Sequence, residues 1–112
     1  MTSEEFQFIR DCGLREDSED ALFAVKVRER LGDVIGIPAD RITARIILEE
    51  SGWISFHDSL DLIEFTLMLE KEFGIGVDDL DDQFLTLMQP PAIEKLTFAE
   101  FLREFIRLRN RR

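Results

Sequence analysis

Tyrosine is absent from this chain, and cysteine, histidine and tryptophan occur once each. With Cys12 alone no internal disulfide can form. A lone thiol fits a reducing compartment, and a small buried residue is the role expected of it. Bases are scarce: 14 Lys and Arg face 24 Asp and Glu, a formal charge of −10. That balance argues against nucleic acid as a partner, because phosphate binding needs a basic surface. It favours partners that present Lys and Arg. Long hydrophobic runs are also missing. None approaches the roughly 20 residues of a membrane span, and Met1-Thr2-Ser3-Glu4-Glu5 has no apolar signal core. A soluble, cytoplasmic protein is expected.

What is present suits one domain of 112 residues. Apolar residues make up 45% of the chain and ten are Phe, enough for an aromatic core. The charge is uneven. Residues 1–99 hold 22 acids against 9 bases, or −13, whereas residues 100–112 hold five arginines against Glu100 and Glu104, or +3. A basic end could lie along the acidic body or stay mobile, and composition leaves both open.

Helix signals are strong. Thr2 and Glu5 have capping-box spacing ahead of Phe6 and Ile9, with Gly13 as the stop. Residues 15–20 form a charged linker that can cap the next helix. Ser18, Glu19 and Asp20 suit the start of a helix over about Glu19–Ile35, with Phe23, Val27, Leu31 and Val34 on one face. Gly36 and Pro38 end it. Ala39–Ser55 reads mostly as loop, with an apolar patch at Ile46–Leu48 and an anchor at Trp53. A second main helix is expected over Ser59–Phe73, ended by Gly74. A shorter one is expected within Val77–Met88, with Leu80, Phe84 and Leu87 on one side. Gln89-Pro90-Pro91 breaks the chain. Thr97 and Glu100 repeat the capping box before Phe98, Phe101, Leu102 and Phe105. Convincing period-two alternation is absent, so the fold class is all-α.

The Ser59–Phe73 segment carries more apolar surface than one face needs. At about 100° per residue, Leu62, Phe65, Leu69 and Phe73 share the core side. Leu60, Ile63 and Leu67 gather on a second face, flanked by Glu64 and Glu70. Acids that steer a basic partner around an apolar patch that supplies contact area would make a transient docking surface. Burial on two sides of a bundle is the plainer reading. Ser59, for its part, could be a helix cap and nothing more. A phosphate ester there would face free backbone N–H groups at a helix start, although Asp58 and Asp61 would oppose it by charge.

Asp58-Ser59-Leu60-Asp61, with Glu64 three positions later and Leu69-Glu70-Lys71-Glu72-Phe73-Gly74-Ile75 further along, resembles the signature of acyl carrier proteins. Val34–Pro38 with Ile42-Thr43 is similar to the end of that family's first helix. Glu94–Thr97 with the helix over Phe98–Ile106 is similar to its last. The resemblance implies a four-helix carrier-protein bundle over residues 21–108, with a short amino-terminal extension (1–20) and a basic tail (109–112). It implies 4′-phosphopantetheine on Ser59, transferred from coenzyme A by a phosphopantetheinyl transferase. It implies acyl or related cargo held as a thioester and shown to acyl-loading and acyl-using enzymes with basic patches, with no catalysis by the carrier itself. Asp58, Leu60, Asp61, Ile63, Glu64, Leu67 and Glu70 would be the docking surface of a monomer. The alternative is a carrier-fold interaction module that never bears the arm. Phe56 stands where glycine is common, the loop between the first two main helices and the 76–94 segment are long, and Lys71 interrupts a usual acidic run. These departures point to a specialised member.

Two other chemistries fail. His57, Asp58 and Ser59 are consecutive and cannot form a hydrolase relay, and the Gly-x-Ser-x-Gly elbow is missing. The acidic cluster Asp78–Asp82 lacks the glycine and glutamate of a calcium loop: from Asp78, the sixth and twelfth residues are Gln83 and Gln89. No metal is expected.

Overall fold

A computed structural model describes residues 1–48, 67–68 and 70–111. Helices α1 (Ser3–Asp11) and α2 (Glu19–Ile35) open the chain. Residues 67, 68 and 70–73 are also helical. Next come α3 (Asp82–Leu87) and α4 (Phe98–Asn110). Short 3-10 turns lie at Ala39–Arg41, Val77–Asp79 and Ala92–Lys95. Strand structure among the described residues amounts to one antiparallel bridge, Ile47 with Thr97. The fold is all-α, as expected of a carrier-protein bundle, and no described helix is long and apolar enough to cross a membrane.

The helix starts result from their caps. Thr2 and Glu5 exchange side-chain and backbone hydrogen bonds at α1, and Thr97 and Glu100 do the same at α4. Each box satisfies N–H groups that a helix start leaves open. The Thr2 backbone N–H donates to the Glu5 carboxylate and is the main reason its pKa is lowered. Ser18 caps α2 through the Ala21 N–H. Gly36 ends it in the left-handed region, at φ 75°. Gly32 is needed for another reason: a Cβ there would lie 2.6 Å from the Ile37 carbonyl oxygen, where the chain turns back over the helix.

Helix α2 packs against both α1 and α4. Its inner face buries Ala21, Phe23, Ala24, Val27 and Leu31, and α4 buries Phe98, Phe101, Leu102, Phe105, Ile106 and Leu108. Phe101 and Phe105 meet edge to face at 4.5 Å, and Phe84 of α3 lies 5.4 Å from Phe105. Such pairs add about 0.5–1.5 kcal/mol beyond area burial. Residues 1–20 join this core, where Phe8, Ile9 and Cys12 are all buried. Burial pushes the Cys12 thiol up to about 11, so it stays protonated and unreactive at neutral pH.

One segment differs from the sequence expectation. The single helix expected within Val77–Met88 is divided into a 3-10 turn and α3. Asp81 is extended (φ −108°, ψ 176°) and its carboxylate caps α3 by accepting from the Phe84 N–H. An aspartate can hold either a helix interior or a cap, and here Arg107 and Arg111 favour the cap by pairing with it. The segment over 39–48 is mostly loop, as expected, and it is held by backbone pairing. Leu48 donates to the Leu96 carbonyl (3.1 Å), Phe98 to Ile46 (2.9 Å) and Ala99 to Ala44 (2.9 Å).

Candidate functional site

The candidate segment is anchored on both sides. Upstream, Leu48 is buried and held by its bond to Leu96. Downstream, Met68 and Ile75 are buried, and Phe73 meets Phe23 edge to face at 5.2 Å. Glu72 receives an ion pair from Arg30 of α2 at 3.0 Å. The helical stretch closes with the Gly74 N–H on the Glu70 carbonyl. Ser59 lies in sequence between these anchors.

Of the residues singled out from sequence, Leu67 and Glu70 are described. Both are exposed, both are helical, and they are three positions apart in sequence. Leu67 is 59% exposed, the most of any large hydrophobic side chain described, while Met68 beside it is 6% exposed. An apolar side chain thus stands in water, and the acidic Glu70 that follows it is exposed as well. Asp58, Ser59, Leu60, Asp61, Ile63 and Glu64 lie outside the described residues. So do Leu62, Phe65 and Leu69 of the expected core stripe, Phe56 and His57, and Trp53.

Comparison with known proteins bears on this segment. The model of the family described as "Phosphopantetheine attachment site" matches residues 25–82, about half of the chain. The chain belongs to the acyl carrier protein family. Two curated relatives are the acyl carrier proteins of Nitratidesulfovibrio vulgaris strain DP4 and of its strain Hildenborough. Each is 36% identical over 59 residues, covering 52% of this chain and 72% of the relative. No solved structure gives a significant match. The protein therefore has a carrier's role, and the family's cofactor is covalent 4′-phosphopantetheine.

The chemistry of the matched region fits that group. A phosphodiester needs one side-chain hydroxyl, and residues 25–82 offer Thr43, Ser51, Ser55, Ser59 and Thr66. Thr43 comes just after the first 3-10 turn, where its own carbonyl accepts from the Ile46 N–H. Of the five, Ser59 alone stands in an Asp-Ser-Leu context.

Sequence reasoning missed two charged clusters that hold this carrier together. Arg28 is 2% exposed. Its Nε donates to the Ile42 carbonyl at 2.8 Å, its terminal nitrogens reach both oxygens of Glu4, and its guanidinium lies 4.2 Å from the centre of the Phe8 ring. A cation between Ala24 and Leu31 on the buried face of α2 was the available signal. The second cluster centres on Asp81, which Arg107 grips through both terminal nitrogens while Arg111 adds a third contact. The Arg107 hydrogen bonds are the first cause holding the Asp81 carboxyl far below the usual carboxylate range, with the Phe84 N–H next. Arg107 also bonds Glu104, and its own pKa is raised.

Proposed function

We propose that this carrier bears its arm on Ser59 and presents acyl or related intermediates to biosynthetic enzymes without converting them itself. The observation that carries this reading is the family match across residues 25–82, which brackets Asp58-Ser59-Leu60. When attached, the arm supplies a thiol that holds cargo as a thioester. Ser59 would contribute the hydroxyl oxygen that bonds to the phosphorus on the pantetheine side of coenzyme A; the pyrophosphate bond breaks, adenosine 3′,5′-bisphosphate leaves, and the hydroxyl proton goes to the transferase's base. Asp58, Leu60, Asp61, Ile63, Glu64, Leu67 and Glu70 would form the surface read by a phosphopantetheinyl transferase and by acyl-loading and acyl-using enzymes. The exposure of Leu67 and Glu70 supports that assignment, because the acids attract basic patches and the leucine offers dry contact. The free, buried Cys12 suits a reducing, cytoplasmic setting.

Intact-mass spectrometry tests the reading. The purified chain is incubated with coenzyme A and a broad-specificity transferase, beside Ser59→Ala. One phosphopantetheine-sized increase, lost in the variant, is expected. No increase, while a known carrier loads in the same tube, would reject Ser59 as the acceptor and leave an interaction module that carries no arm.

A further inference from the structure

Away from the Ser59 signature, the amino-terminal half of α2 presents an unusual outer face. Leu22 is 55% exposed on it. Beside it lies a recess of about 280 Å³ lined by Glu19, Leu22, Phe23, Lys26, Phe73 and Arg109. Phe23 and Phe73 meet edge to face there, so the recess has apolar walls. The charges around it cancel, unlike the rest of a chain at −10. Arg109 lies 5.0 Å over the Phe23 ring and is held by Asp20 at 3.2 Å, so these two neutralise each other. Glu19 has a side chain 89% exposed and only a 3.6 Å contact to Arg109. The Lys26 ammonium is exposed and has no ion pair or hydrogen bond among the described residues.

The spacing of this face is self-complementary. Glu19, Leu22 and Lys26 stand at i, i+3 and i+7, in one line along the helix. An antiparallel copy of α2, related by a two-fold axis between residues 22 and 23, sets residue 19 opposite 26 and residue 22 opposite 23. Each Glu19 then meets the other copy's Lys26, and each Leu22 enters the other copy's recess. This is the isologous pattern of a symmetric dimer, in which a contact made once is made twice. A strongly basic or acidic partner gains no net attraction at a neutral rim. Two copies that repel through most of their surface meet a neutral rim here.

We propose that this face of α2 is a self-association surface, occupied by a second copy of the chain and independent of the arm. One helix face is a small contact beside the roughly 1,200–2,000 Å² of stable interfaces, so the dimer is weak and forms with rising concentration.

Sedimentation velocity of the full chain across a concentration series tests it. The weight-average mass is expected to rise from monomer toward dimer. Lys26→Glu or Glu19→Lys alone sets like charges opposite each other and weakens association roughly tenfold or more. The combined swap restores it, and Leu22→Asp abolishes it. Helical circular dichroism and phosphopantetheine loading stay unchanged in every variant, so failure here is distinguishable from failure of the Ser59 assignment. A monomer at all concentrations, association indifferent to the single swaps, or a combined swap that fails to restore it would each overturn the proposal.

Discussion

Both ends of the chain are tied to its body through arginine, in opposite surroundings. At the amino-terminal end a single arginine of the body, Arg28, reaches out to Glu4 from a site that is 2% exposed. At the carboxyl-terminal end Arg107, Arg109 and Arg111 of the terminal segment reach inward, to Asp81, Asp20 and Asp81 again, from sites at least a quarter exposed. Arg28 uses its Nε and both terminal nitrogens, whereas the buried Nε of Arg107 has no hydrogen-bond partner among the described residues. A cation taken out of water must have every donor met, and removing its partners leaves a costly buried charge. A cation at the rim exchanges one weak partner for water. The amino-terminal clamp should therefore dominate stability, and the carboxyl-terminal network should respond to salt and acid.

Breaking the buried clamp gives the largest effect. Arg28→Ala strands the Ile42 carbonyl and removes the packing under Phe8, and we expect a loss of about 3–5 kcal/mol in urea unfolding. Glu4→Gln should cost less than Arg28→Ala, because the amide keeps one oxygen to accept from the guanidinium, and the Ile42 bond and the packing against Phe8 remain. The two capping boxes sharpen the comparison next. Thr97→Ala and Thr2→Ala should each cost about 1 kcal/mol, as read by the shift in urea midpoint.

The smallest effect belongs to Asp81. Its folded pKa is depressed, so its stabilising contribution is complete above the ordinary carboxylate value near about 4 and is lost progressively as pH falls below it. The wild-type chain should lose stability on acidification in that window by more than Asp81→Asn does. In the wild type, added salt at neutral pH should remove part of the same contribution. An acid limb of equal slope in both proteins would show that the Asp81 network contributes nothing measurable.

How far the fold was legible in the sequence depended on the range of the interactions. The ends of α1, α2 and α4 were readable because caps are local: Thr2 with Glu5, Ser18 with Ala21 and Thr97 with Glu100 each span three residues. The break before α3 was not, since Asp81 is fixed as a cap by arginines 26 and 30 positions away. The burial of Arg28 was not legible because its partner Glu4 lies 24 residues earlier. Residues 1–20 read as an extension on motif grounds, with a short helix and a buried Cys12, and Phe8, Ile9 and Cys12 lie in the core. Whether the basic end docks or stays mobile was left open by composition, and Arg103, Arg107, Arg109 and Arg111 all make contacts with the body. For the candidate site the motif around Ser59 supplied the assignment, and the structure adds the exposure of Leu67 and Glu70 and the anchors on either side.

The contrast between the two ends rests on α1 being part of the carrier's folded core rather than an appendage to it. Urea unfolding of the full chain beside residues 15–112, which keep the Ser18 cap and the whole of α2, tests this most directly. Loss of three buried side chains and of the counter-charge on Arg28 should leave the shortened chain without a cooperative transition, or with one lowered by several kcal/mol. A shortened chain that unfolds cooperatively at the same urea midpoint would contradict the account, and would make α1 a dispensable attachment.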